Sequence, residues 1–366
     1  MITEKNKQHY YWLDVVRFLA AFAVMACHYR GFFFVEYGAL SPDQQNIPMQ
    51  IFFLLTRLGD EAVMVFFVLS GFLVGGKAID KARKGIFDIK NYAIDRFVRI
   101  ILPLLSSMLL CIPITIFVMN ENVNWYVWIM NLFSMQGIFV APLKFMEPLW
   151  SLSYEVWFYI TIAALIAYIC NYKRILASII LLICAAVFIK LKIAYLFIWL
   201  MGALAFLNIP KKFNAKAFIP SLFVIIISIM VLQIFRDSRS LSAVILGDDM
   251  RMVVKLVMAF FMCIFISYII NIKPNGKISC LINNVGTKAA AWSYTLYLVH
   301  MPIGYMLTKL GFQRETIVNL YSITMYITAM LICIIITYCV YWCFEKRTAI
   351  VKKFLKEHLV KESKSI

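Results

Sequence analysis

Charge is scarce in this chain, and negative charge scarcest. Only 15% of its 366 residues are Asp, Glu, Lys or Arg, and 19 acidic residues stand against 36 basic ones. With 63% hydrophobic residues and a mean hydropathy of +0.83, this composition excludes an ordinary soluble domain. No loop is large enough to form a separate domain, and no internal repeat is visible. The first hydrophobic run is too long for a signal-peptide core and lacks a small-residue cleavage site after it, so it is expected to be retained. The nine Cys sit mostly within apolar runs, without metal-like or disulfide-like spacing. They read as small apolar residues of membrane helices, and no metal site is expected. A formal charge of +17 could suggest nucleic acid. Its distribution argues instead for membrane topology and an anionic cytoplasmic ligand, with no nucleic-acid partner.

What is present is a series of spanning-length hydrophobic runs, near 11–34, 49–76, 100–119, 149–170, 174–190, 193–208, 217–235, 252–271, 289–308 and 319–343. They predict an all-α, polytopic membrane protein of about ten transmembrane helices. The stretch 121–146 is interrupted by Asn, Gln and Gly and reads as an interfacial or re-entrant segment. The pair 174–190 and 193–208 is joined only by Lys190-Leu191-Lys192. Even spans put both termini on one side. The alternate segments that include Lys5, Lys7, Lys211 and the basic stretch 77–99 hold 24 Lys and Arg, against nine in the opposite loops, Arg236 and Arg239 among them. That asymmetry gives an N-in/C-in topology. The chain divides into a cytoplasmic N-terminus at 1–10, a membrane domain at 11–345 and a basic cytoplasmic tail at 346–366.

Charges inside apolar runs are functional candidates, because each costs at least a few kcal/mol to insert. The first run carries Asp14, Arg17 and His28. Eleven residues on a helix are three turns plus roughly 20°, so Arg17 and His28 point the same way, about 16 Å apart along the axis. Asp14 lies one turn below Arg17, and small Ala21 lies between the pair. The second run, Arg57–Gly76, contains Gly59 and Ser70-Gly71, which permit close helix packing, and Gly75-Gly76 is read as ending the span before a basic loop. In that loop Arg96 and Arg99 are one turn apart, a pair suited to phosphate oxygens or, alternatively, to anionic lipid. Glu155 enters the fourth span and must be protonated or paired with another helix. It could orient or deprotonate His28, hold an acceptor hydroxyl, or form a structural ion pair with Arg17 or Arg57. In the ninth span Ser293 and His300 share a face, with Tyr297 one turn from His300. Glu345 is read at the inner surface, before a solvated or lipid-contacting tail helix.

These pieces in this order resemble the acyltransferase 3 family of integral-membrane acyltransferases. The resemblance rests on Asp14–Arg17 with the Arg-x10-His spacing to His28, on Phe66-Phe67-Val68-Leu69-Ser70-Gly71-Phe72-Leu73, on Arg96, Arg99 and Pro103, on Leu149-Trp150-Ser151-Leu152-Ser153-Tyr154-Glu155, and on Ser293-Tyr294-Thr295-Leu296-Tyr297-Leu298-Val299-His300-Met301-Pro302. It covers about 10–345. One departure is Glu345-Lys346-Arg347, where the family commonly has Glu-x-Pro.

The resemblance implies an enzyme of the bacterial cytoplasmic (inner) membrane, of the stand-alone type. It would move an acyl group, usually acetyl, from cytoplasmic acyl-CoA to a sugar hydroxyl of a surface polysaccharide or lipid-linked glycan. No bound cofactor is expected; acyl-CoA is the donor substrate, and membrane lipids surround the chain. His has the unperturbed pKa nearest neutrality, so His28 is the expected general base, with an acyl-His as the variant mechanism. Arg17 and Glu155 complete the catalytic set. Asp14, Ser70, Arg96, Arg99, Ser293, Tyr297 and His300 are the expected substrate-binding residues. A secondary transporter or flippase for a lipid-linked or small anionic substrate is the alternative. It would often show inverted repeats.

Overall fold

The structure is a computed structural model that describes residues 10, 12–210, 212–234 and 248–359. The N-terminal residues before Tyr10, Lys5 and Lys7 among them, lie outside the described residues, as do Lys211, Arg236, Arg239 and the end of the tail. Among the described residues every regular element is helical, and the only β pairings are isolated bridges at Phe34–Glu315 and Gln136–Val140. The helices are α1 (Leu13–Phe33), α2 (Ile47–Leu55), α3 (Gly59–Ser70), α4 (Lys77–Arg83), α5 (Ile89–Pro113), α6 (Trp125–Leu132), α7 (Leu149–Ile169) and α8 (Arg174–Lys190). They continue with α9 (Ala194–Leu207), α10 (Ala215–Ile234), α11 (Asp248–Ile269), α12 (Lys277–Ala290), α13 (Ser293–Lys309), α14 (Leu320–Cys343) and α15 (Thr348–Leu359).

Each of the ten hydrophobic runs becomes helix, and the chain is an all-α, polytopic membrane protein. Seven helical stretches are long and apolar enough to cross a membrane. The runs at 174–190, 193–208 and 289–308 give shorter helices, α8 of 17 residues, α9 of 14 and α13 of 17. At 1.5 Å per residue these reach about 21–26 Å, short of a ~30 Å hydrocarbon core. The run at 289–308 is shortened because the chain turns at Ala291–Trp292 before α13 begins. The outward faces are apolar: Ile175 and Ile189 on α8 are 81% and 83% exposed, as lipid contact demands and water would not favour.

α1 is the hub, packed against α3, α12, α13 and α14. Its Trp12 Nε1 donates to the Ile272 carbonyl (2.8 Å), and past its C-terminus Arg314 Nε donates to the Phe34 carbonyl (3.0 Å). Both ends are therefore fixed to the C-terminal half of the chain.

α3 and α9 cross at two glycines. A Cβ on Gly71 would lie 1.9 Å from the Trp199 carbonyl oxygen, and one on Gly202 would lie 2.3 Å from that of Val68. No side chain fits at either position, and backbone-to-backbone approach follows. Beyond this crossing the sequence expectation fails. Gly75-Gly76 does not end the helix: the chain continues through a π-helical stretch, Gly71–Gly76, into α4. It stops only where Gly85 takes φ +65°. The two glycines serve packing instead, since Cβ atoms there would strike the Trp199 ring and Phe206.

Three further segments refine the reading. Only α6, of eight residues, is helical within 121–146 before the segment folds irregularly against the start of α7. Gln136 Nε2 donates to the Leu149 carbonyl (2.7 Å), and Ser153 Oγ to the Ser134 carbonyl (2.9 Å). The segment before the ninth run, read as a loop, holds α12, which packs on α1 through its small-residue side, Gly286 against Val15, and leaves Ile278, Leu281 and Val285 exposed. Lastly, Glu345, after the last run, is buried within the protein, only 4% exposed. The tail helix α15 docks on α5, where Lys352 and Lys356 reach Asp95 at 2.7 and 2.9 Å.

Candidate active site

α1, α3, α5, α7, α12 and α13 enclose a cavity of about 550 Å³. Four cations (Arg17, Lys77, Arg96 and Arg99) and two acids (Asp14 and Glu155) line it, together with Ser70, Ser151, Tyr159, Thr287, Ser293, Tyr294 and Tyr297. Of the ten residues singled out in the sequence, eight meet here: Asp14, Arg17, Ser70, Arg96, Arg99, Glu155, Ser293 and Tyr297.

Helical spacing explains each position. On α1, Arg17 donates to Asp14 Oδ1 three residues earlier (3.0 Å), which holds the guanidinium along the helix instead of letting it extend. On α7, Glu155 accepts from the hydroxyl of Tyr159, one turn on. The Tyr159 hydroxyl also meets Ser70 Oγ (3.1 Å), and Ser70 in turn accepts from Trp199 Nε1 (3.0 Å). Ser70 stands where α3 gives way to the π-helical turn, and π-bulges often mark functional positions because they re-aim a side chain. On α5, Arg96 lies over the Tyr159 ring (5.6 Å) and Arg99 over that of Tyr294 (5.5 Å). Arg99 Nη1 also binds Glu345 Oε1 (2.7 Å), whose other oxygen accepts from Thr295 Oγ1 (2.5 Å). Ser293, at the first turn of α13, donates to the Ala290 carbonyl (2.9 Å).

Tyr297 forms one wall. Its ring packs edge-on to Phe66 (5.6 Å). Its hydroxyl donates to the Pro148 carbonyl (3.0 Å) and meets Ser151 Oγ (2.6 Å). The two histidines lie on the other side of it and do not line the cavity. The His300 ring is 6.0 Å from that of Tyr297 and 5.2 Å from that of His28. The alignment of Arg17 and His28 along α1 therefore runs from the cationic cavity to a pair of packed imidazoles outside its lining.

Sequence reasoning did not select Lys77, Tyr159, Thr287, Tyr294 or Glu345 as site residues. Two of them carried a signal. Tyr159 is one turn from Glu155, and Lys77 is seven residues from Ser70 on what proves a continuous helix. Glu345 was noted only at the Glu-x-Pro position, and nothing local pointed to its partner Arg99, 246 residues away.

What the arrangement can do chemically is hold an anion. Fixed guanidinium groups in a space walled by aromatic rings bind phosphate oxygens through paired N–H donors, and the hydroxyl side chains of the lining add polar groups beside them.

Comparison with known proteins adds one finding. The family model described as an acyltransferase domain matches residues 10–344. Searches of curated proteins and of solved structures returned no match. The family match takes in α1 through α14, and so every helix that lines the cavity or bears a histidine beside it: the chain belongs to the acyltransferase 3 family and is a multi-pass membrane acyltransferase.

Proposed function

We propose that the chain is an acyl-CoA-dependent O-acyltransferase of the bacterial cytoplasmic membrane. It takes an acyl group, acetyl first among candidates, from cytoplasmic acyl-CoA and delivers it to a sugar hydroxyl of a surface polysaccharide or lipid-linked glycan. The observation that carries the reading is the cationic cavity on α1, with an imidazole three turns further along the same helix. In the N-in topology the cavity's Lys77, Arg96 and Arg99 belong to the inner side. There they would take the CoA phosphates, leaving the pantetheine arm to run outward along α1. The Arg17-to-His28 rise of about 16 Å matches an extended arm, provided that the acyl end passes Tyr297.

His28 then acts as general base. It takes the proton of the acceptor hydroxyl as the oxygen attacks the thioester carbonyl. The C–S bond breaks, and the leaving thiolate recovers the proton from the imidazolium. Glu155, in hydrogen bond with Tyr159, serves this reading as a fixed negative charge beside the arginines.

The test is binding and turnover of labelled acetyl-CoA by the purified full chain in nanodiscs, wild type beside His28→Ala. Binding in both is expected, with turnover lowered about 10²–10⁴-fold in the variant, the usual contribution of a general base. Absence of acyl-CoA binding by folded wild type would reject the donor assignment. Undiminished turnover in the variant would reject the base.

A further inference from the structure

His300 is wholly buried (0% exposed) in the middle of α13. Its Nδ1 lies 3.1 Å from the Leu296 carbonyl one turn earlier. A carbonyl oxygen only accepts, so Nδ1 carries the ring hydrogen and Nε2 is left as a bare lone pair. That Nε2 is buried and has no hydrogen-bond partner, which is uncommon for a buried polar atom. The nearby Tyr297 hydroxyl does not fill the role, being engaged by Ser151 and the Pro148 carbonyl. The polar ring packed on His300 from the other helix is His28, with ring planes 37° apart and centroids at 5.2 Å. The two imidazoles are thus ring neighbours across the contact of α1 with α13.

We propose that His300 is a positioning residue: its Nε2 accepts the N–H of His28 and so fixes the tautomer in which the other His28 nitrogen offers its lone pair to the acceptor hydroxyl. The proposal rests on the acyl-transfer reading above. When His28 takes the acceptor proton, that proton forms a new bond on the outward nitrogen, while the original N–H stays on His28 and points at His300. No proton moves to His300, which stabilises the imidazolium as a neutral acceptor. A second histidine in the dry interior thus does the orienting work for which soluble enzymes often use a carboxylate.

Two substitutions separate positioning from mere helix packing. His300→Asn keeps an amide N–H near Nδ1 for the Leu296 carbonyl but removes the acceptor at Nε2. His300→Gln extends an amide oxygen to the Nε2 position and gives up the Leu296 bond. The assay is release of free CoA from acetyl-CoA by the full chain in nanodiscs formed from its native membrane, which supply the endogenous acceptor. Acetyl-CoA binding serves as the check on folding. Positioning predicts that His300→Asn loses about 100-fold in kcat with unchanged acetyl-CoA affinity, while His300→Gln stays within about fivefold of wild type. In the His28→Ala background, His300→Asn should cost nothing further, because residues acting as a unit are not additive. Wild-type turnover by His300→Asn, an Asn variant as good as or better than the Gln variant, or losses that multiply with His28→Ala would each overturn the proposal. Full activity in His28→Ala alone would instead bring down the acyl-transfer base, a distinguishable failure.

Discussion

Two cavities share the same pair of helices yet are chemically opposite. The polar one, of about 550 Å³, is bounded on one side by α5 and α7. A second, of about 640 Å³, lies between α5, α7 and the start of α8, and is lined largely by Ile, Leu, Ala and Phe side chains. Arg96, Ile100 and Tyr159 belong to both linings. The difference lies in what closes each space. The polar cavity is completed by α1, α12 and α13, which bring Asp14, Arg17, Thr287, Ser293 and Tyr297. The apolar one is completed by α8, which brings Leu176, Ala177 and Ile180. Void volume is therefore a poor guide to chemistry in a membrane helix bundle, whereas the conjunction of charge from several helices is a good one.

Filling the polar cavity is expected to have the largest effect. Thr287→Trp, placed on its α12 wall, should lower turnover about 100-fold by displacing the donor, since small misplacements of substrate cost that much. Turnover near wild type, with acetyl-CoA binding intact, would break the assignment of the cavity to the donor. Next comes the shared residue. Arg96→Ala should weaken acetyl-CoA binding about 10–100-fold through the loss of one charge-assisted contact, measured by equilibrium binding at low and high salt. A smaller change is expected from Glu345→Gln, which leaves Arg99 without its buried counter-charge. Stability should fall by about 2 kcal/mol, seen as a lower unfolding midpoint in detergent. The smallest effect belongs to the apolar side. Ala163→Leu fills part of that slot and should leave turnover within about twofold, as volume changes distant from reacting groups usually do. A large loss there would mean that the two spaces work together.

Much of this was readable before any coordinates. The spans are legible because lipid demands long apolar runs, and eight of the ten chosen side chains share one cavity because helical periodicity puts residues three, four and seven apart on one face. What stayed hidden has physical reasons too. Gly75-Gly76 looks like a terminator because glycine frees the backbone. Here it makes room for Trp199 and Phe206, and the partner side chains lie more than a hundred residues away. α12 carries two Lys and two Asn within Lys277–Ala290, so it fails a hydropathy search although it packs on α1 along Asn283, Gly286 and Ala290. The wall at Tyr297 was equally out of reach. Spacing aligned Ser293, Tyr297 and His300, but the bonds from Tyr297 to Ser151 and Pro148 come from another helix. Those bonds hold the Tyr297 ring between the cavity and His300.

The pairing of Arg99 with Glu345 also bears on how the protein is made. Membrane helices are inserted as synthesis proceeds, from the N-terminal end. Arg17, Ser70, Arg96, Arg99 and Glu155 are in place before half the chain has been made, whereas the carboxylate that receives Arg99 follows α14. Until that residue emerges, four basic side chains face one another with only Asp14 and Glu155 for balance. The nascent site is thus an open electrostatic circuit that the last residues close. A chain interrupted after α13 should be inserted yet remain loosely assembled around α5, and so be exposed to membrane proteases that a finished chain escapes.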